Sequence, residues 1–157
     1  FMRTNVPGIY AVGDCTAKLM LAHTAEAQGV VAAETIAGVE TMPINYDMIP
    51  RVTYCQPQIA SFGYTEQQAK DKGYDGKAWG VGDGSGFVKV VADARHNELL
   101  GATIIGHDVS DLIPVLTLAQ MWDITTEEVG RNIFPHPSMS EAIKDAVEGI
   151  AGEMINI

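Results

Sequence analysis

Two short apolar runs in the second half of the chain constrain its fold more than any other feature: Phe87-Val-Lys-Val-Val-Ala-Asp93 and Leu99 to Gly106. Both are rich in β-branched residues, and the polar turn Ala94–Glu98 joins them, so they predict an antiparallel hairpin. Two more strands are expected upstream, at Arg51–Cys55 and Gln58–Tyr64, broken by Gln56-Pro57. Thr65-Glu66-Gln67-Gln68 is a capping box for a short helix that stops at Gly73. Helices then dominate. Residues 108–121 form one, with Pro114 near its start and Leu112, Val115, Leu116, Leu118 and Ala119 available for its buried side. Thr125-Thr126-Glu127-Glu128 caps a brief helix, and Ser138–Glu141 opens a last one running toward Gly149. Strands followed by segregated helices predict an α+β domain, an antiparallel sheet with helices on one face.

The first forty residues have a different character. Pro7-Gly8 is a turn feeding a short apolar strand, Ile9 to Val12, which stops at Gly13-Asp14. A helix over 22–37 follows, ended by Gly38. Gly29 in its middle costs about 1 kcal/mol against alanine, which points to close packing on a backbone or ligand. A strand, a Gly-Asp turn and a helix are the layout of an α/β sheet edge. The chain therefore reads as two parts, 1–40 and 41–157.

Composition excludes several classes of function. A net charge of −10 repels phosphate backbones and anionic lipids, against nucleic acid or a membrane surface as partner. No run approaches the roughly 18 apolar residues of a membrane span. No basic segment leading into an apolar one opens the sequence, so no secretory signal is read. Cys15 and Cys55 are far apart, without metal-ligand spacing; they suit a reducing cytoplasm as small buried hydrophobes and form no redox dithiol. No metal site is expected. Trp79 and Trp122 read as packing residues, and His96 and His107 as solvated ones. The glycines of Gly80–Gly86 lead into a strand rather than a helix, so they read as a loose connector and not a phosphate loop.

Two places can carry chemistry. His136 lies between Pro135 and Pro137, with Glu141 five residues on at the start of the last helix. The prolines hold the imidazole on stiff, extended backbone, and a positioned imidazole exchanges protons near neutrality. A carboxylate bonded to one ring nitrogen would fix the tautomer and leave the other to take a proton. Alternatively, Glu141 belongs to the capping box Ser138-x-x-Glu141 and His136 is a plain loop residue. Asp14 is the second place. At the end of a strand, in a glycine turn, it can accept hydrogen bonds from cofactor hydroxyls, or simply bond its own backbone.

Longer strings decide between these readings. His136-Pro137-x-x-Ser140-Glu141, with Glu128-Val-Gly-Arg-Asn132 before it and Gly152-Glu-Met-Ile-Asn-Ile157 after it, resembles the flavoprotein disulfide reductases, the dihydrolipoamide dehydrogenases in particular. Thr4-x-x-Pro7-Gly-Ile-Tyr-Ala-Val-Gly-Asp14 with Met20-Leu21-Ala22-His23 is similar to that family's second FAD-binding motif. Tyr54 to Glu66, Gly86-Phe-Val-Lys89, Leu99-Leu-Gly-Ala102 and Leu116-Thr-Leu-Ala-Gln120 are similar to its C-terminal interface domain.

The resemblance implies His136 as acid/base toward a thiol, Glu141 as the group that orients it, and Asp14 on the FAD ribityl hydroxyls. It places Met20, Leu21, Ala22 and His23 along the flavin, and the NAD site outside this chain. It also implies a homodimer in which the histidine serves the opposite subunit's flavin, with dihydrolipoamide or a lipoyl-bearing protein as substrate. The apolar ending Met154-Ile-Asn-Ile157 would suit a buried symmetric interface. The family's glycine-rich first FAD motif and redox cysteine pair are absent, so the sequence looks like the final third of a longer protein. Between Asp75 and Lys77 the family carries roughly ten further residues, a length change that a loop absorbs and a sheet strand does not. Phe134 stands where dihydrolipoamide dehydrogenases often have a histidine. Two readings stay open beside the first: a non-catalytic dimerisation module, and a relative of the glutathione or mercuric reductases.

Overall fold

The computed structural model describes residues 1–83 and 86–154, in two compact units, Phe1–Ile49 and Pro50–Ile157. Gly84, Ser85 and the ending Ile155–Ile157, on which two of the expectations above partly rest, lie outside the described residues.

In the first unit, a 3-10 turn at Gly13–Thr16 leads to helix α1, Ala22–Ala37. α1 ends where Gly38, at φ +69°, donates its N–H to the Glu34 and Thr35 carbonyls, a conformation that suits a residue without Cβ. Its buried positions are Thr24, Gln28, Val31 and Ala32, spaced as one helical face. A second 3-10 turn, Tyr46–Met48, follows. The strand expected at Ile9–Val12 does not form. Tyr10 makes only a single antiparallel bridge to Arg3, because an extended segment becomes a strand only where a partner runs alongside. Gly29 has nothing within 4 Å of where a Cβ would stand, so among the described residues the close approach expected there is not made.

The second unit is built on five strands: β1 Arg51–Thr53, β2 Gln58–Gly63, β3 Gly76–Asp83, β4 Gly86–Asp93 and β5 Leu99–Gly106. They form one sheet in the order β1-β2-β5-β4-β3, and every pairing is antiparallel. Four helices complete it: α2 Glu66–Asp71, α3 Val109–Met121, α4 Thr126–Arg131 and α5 Glu141–Ala151. The hairpin β4–β5 and the capping boxes Thr65/Gln68 and Thr125/Glu128 form as their residues predict.

The connector reading of Gly80–Gly86 is corrected. Residues 76–83 pair with β4 along their whole length, Trp79 opposite Val90 and Val81 opposite Val88. The glycines serve close approach rather than looseness. A Cβ on Gly82 would stand 2.5 Å from the Gly86 carbonyl oxygen, and one on Gly80 would stand 2.8 Å from the Phe87 ring. A second pinch joins β2 to β5, where a Cβ on Gly101 would lie 2.4 Å from the Tyr64 carbonyl oxygen.

Register defines the core. Ala60 and Val88 both oppose Ile104, and Phe62 and Val90 both oppose Ala102; all six are buried. Residues of the other parity, Ile59 and Phe87, are 39% and 37% exposed. α3 packs over β2 and β5, and α5 over β3 and β4. α3 turns Val109, Ile113, Leu116 and Ala119 inward, each large aliphatic stabilising by about 1.5–3 kcal/mol. Val115 and Leu118, expected on that buried side, are exposed instead. The helix is apolar on two sides, and only the sheet decides which side is covered.

Other expectations are also revised. Cys15 and Cys55 are exposed, not buried. Trp79 packs against Gly149 in α5, where even a methyl group would clash with its ring, whereas Trp122 is 65% exposed. The hairpin turn is held by buried Asp93, which accepts the N–H groups of Arg95, His96 and Asp75 and lies 3.0 Å from the His96 Nδ1. Burial pushes the Asp93 carboxyl up, but these hydrogen bonds outweigh it and hold the carboxyl below its ordinary value.

Candidate functional site

His136 stands on the segment between α4 and α5, where the backbone bends instead of running extended, and the His136–Pro137 bond is cis. Its Nδ1 lies 2.8 Å from Oε1 of Glu141, the first residue of α5. The second carboxylate oxygen, Oε2, accepts the Ser138 N–H at 2.8 Å. Each carboxylate oxygen thus makes one of the contacts that the two readings of this segment expect. The full capping box is absent: Ser140 is the N-cap and its side chain caps nothing, while the Ser138 and Ser140 hydroxyls bond each other at 2.7 Å. The glutamate half of the box is made, but the Ser138 hydroxyl is taken by Ser140, and the Glu141 N–H bonds the Ser138 carbonyl instead.

The electrostatics follow from those contacts. The Ser138 N–H first, and the His136 ring second, hold the Glu141 carboxyl below the usual carboxylate range. The start of α5 adds the positive end of its dipole. An ionised carboxylate only accepts, so a neutral imidazole bonded to it carries its proton on Nδ1. Nε2 is then an unprotonated acceptor. The His136 side chain is 82% exposed and Glu141 only 28%: the carboxylate is sheltered and the ring is presented outward. Phe134, two residues earlier, is half-buried.

The other candidates lie in the first unit. Asp14 sits in the 3-10 turn after Gly13, whose φ is +78°. Its carbonyl accepts the Ala17 N–H, and its side chain is exposed. Met20 is 73% exposed. Leu21 is the N-cap of α1, in extended conformation and without a side-chain cap, and Ala22 and His23 begin the helix exposed. Beside them the buried Thr24 hydroxyl has no hydrogen-bond partner among the described residues. Sequence reasoning missed Gln28, fully buried, whose Oε1 accepts the Gly13 N–H at 2.6 Å. The available signal was a polar residue on the same face as Thr24, Val31 and Ala32. Among the described residues no three His, Cys, Asp or Glu side chains gather as a metal site would require, and no helix is long and apolar enough to cross a membrane.

Known proteins resemble this chain in sequence and fold. Residues 49–147 match the pyridine nucleotide-disulphide oxidoreductase dimerisation domain, and residues 1–29 match the pyridine nucleotide-disulphide oxidoreductase model. The chain belongs to the pyridine nucleotide-disulphide oxidoreductases. Within that family, it is 58% identical to the dihydrolipoyl dehydrogenase of Mycobacterium tuberculosis and 56% identical to that of Corynebacterium glutamicum. Each match takes in 99% of this chain and 36% of the relative, so the chain spans about a third of the relatives' length. The first alignment runs over 168 positions against 157 residues here, so that relative carries extra residues inside the match. Among solved structures, LpdA of Mycobacterium tuberculosis superposes with a TM-score of 0.88 at 25% identity, over 95% of this chain and 35% of LpdA. The flavoprotein disulfide reductase RclA of Escherichia coli shares the fold, with a TM-score of 0.82 at 23% identity over 94% of this chain and 37% of its own.

Proposed function

We propose that this chain supplies the acid/base dyad and one flavin-contacting turn of a homodimeric, cytoplasmic dihydrolipoamide dehydrogenase that uses FAD and NAD. The observation that carries the reading is the pairing of His136 Nδ1 with Glu141 Oε1 at 2.8 Å, with the ring exposed and the carboxylate anchored. Nε2 of His136 takes a proton from a thiol of dihydrolipoamide, and Glu141 stabilises the imidazolium that results. The resulting thiolate is the nucleophile of the disulfide exchange. The reverse transfer, from Nε2 to a departing sulfur, serves the opposite direction.

The residues of the first unit fit one edge of a flavin nucleotide. Asp14 offers an exposed carboxylate to hydroxyl donors, Leu21 gives the start of α1 no side-chain cap, and the Thr24 hydroxyl has no partner among the described residues. FAD, when bound, supplies the two-electron chemistry between dithiol and NAD. Met20, Leu21, Ala22 and His23 would lie along it. Support for the homodimer comes from α3, whose Val115 and Leu118 form, with Trp122 just past its end, an exposed apolar stripe at helical spacing on the family's dimerisation domain.

The test is substrate choice by the full-length protein. Oxidation of dihydrolipoamide with NAD, much faster than reduction of glutathione disulfide or Hg(II), is the expected result. A preference for either of the latter would move the chain to a sister branch. Absence of all three activities in flavin-loaded protein would leave only a dimerisation module.

A further inference from the structure

The mechanism above uses Asp14 and leaves unexplained the one amide that the first unit buries completely. Gln28 is 0% exposed in α1, and its amide is directed at the turn that carries Asp14 and at the next segment of the same unit. Its Oε1 accepts the Gly13 N–H at 2.6 Å. Its Nε2 donates to the Tyr46 hydroxyl at 3.0 Å, with the Thr16 hydroxyl at 3.4 Å. The Tyr46 hydroxyl in turn points to the Met2 sulfur at 3.9 Å. Gly13 can pair only with an oxygen, which fixes the amide's orientation, and the tyrosine holds the other end. Gly13 itself is at φ +78°, a conformation that needs holding if the next residue is to face one direction. The Thr16 hydroxyl closes the turn from within by donating to the Gly13 carbonyl at 2.8 Å.

We infer that Gln28, locked by Tyr46, is a positioning residue that fixes the Gly13–Asp14 turn so that the Asp14 carboxylate meets the flavin's ribityl hydroxyls. The inference rests on the flavin reading of Asp14. Gln28 touches no cofactor atom; it acts through the Gly13 amide. A buried polar network of this kind specifies geometry because every alternative leaves a donor or acceptor unpaired.

The test is a double-mutant cycle in the full-length enzyme, stripped of flavin and titrated with FAD, with the Tm of the flavin-free protein measured beside it. Gln28→Met keeps the volume and removes the hydrogen bonds. Loss of one such bond is worth about 1 kcal/mol, so FAD affinity should fall about fivefold to tenfold with Asp14 present. In an Asp14→Ala background the same change should cost less than about twofold, because a mispositioned carboxylate matters only if it is there. Equal losses in both backgrounds, or a lowered Tm with unchanged FAD affinity, would make Gln28 merely structural and overturn the inference. If Asp14→Ala alone leaves affinity intact, the flavin reading of Asp14 falls first and takes this inference with it. Should Gln28→Met not fold, Tyr46→Phe removes only the hydroxyl that holds the amide. It should give a smaller affinity loss with the same dependence on Asp14, and a loss independent of Asp14 would refute the assignment.

Discussion

At His136 a single carboxylate does two jobs, and the division is by atom. Glu141 Oε2 anchors to the Ser138 N–H, which leaves Oε1 aimed at the imidazole. Glu141→Gln should therefore disturb both, since an amide has one acceptor where the carboxylate uses two. Turnover with dihydrolipoamide should fall by about tenfold, a smaller loss than removal of the base itself. An unchanged rate would reduce the residue to a helix cap. Stability carries a sign that can be worked out. The folded carboxyl lies below its unfolded value, so its contribution is present above the unfolded carboxylate pKa, about 4.3, and disappears as pH falls through the folded value. Thermal melts of wild type and Glu141→Gln should differ at pH 7 and converge in acid. The proline bracket and the Glu spacing were readable in the sequence; the splitting of the two oxygens was not, because it depends on where α5 starts, at Glu141 instead of three residues earlier.

Among the elements, what sequence reading missed was decided by neighbours. β3 looked like a loose glycine run because glycine has low intrinsic strand preference, yet β4 offers it a full edge and the glycines let the two backbones meet. Ile9–Val12 had the opposite fate: good strand residues with only Arg3 opposite Tyr10. α3 presented apolar residues on two sides, and periodicity could not say which the sheet would take. By contrast β4, β5 and the two capping boxes were legible, since alternation and caps are local signals. The pinch between β2 and β5 gives a prediction. Gly101→Ala places a methyl against the Tyr64 backbone, which cannot swing aside as a side chain can. It should cost about 1–3 kcal/mol in denaturant unfolding. A neutral result would mean the two strands can part at that point.

For the whole molecule, the proposal requires two copies. The exposed stripe of α3 is the surface most open to test, since Leu118 is 59% exposed in the single chain and its removal opens no core cavity. In the full-length protein, Leu118→Glu should shift sedimentation toward monomer, with loss of about 2 kcal/mol or more if the residue is central to the seam, while far-UV circular dichroism stays unchanged. A dimer of undiminished strength would place the seam elsewhere. The central claim, that His136 moves the thiol proton, has its most direct test in one rapid-mixing experiment on full-length His136→Gln, following flavin reduction by dihydrolipoamide and, separately, by NADH. Reduction by the dithiol should slow by about 10² or more while reduction by NADH keeps its wild-type rate. Equal dithiol rates in the two proteins would contradict the account.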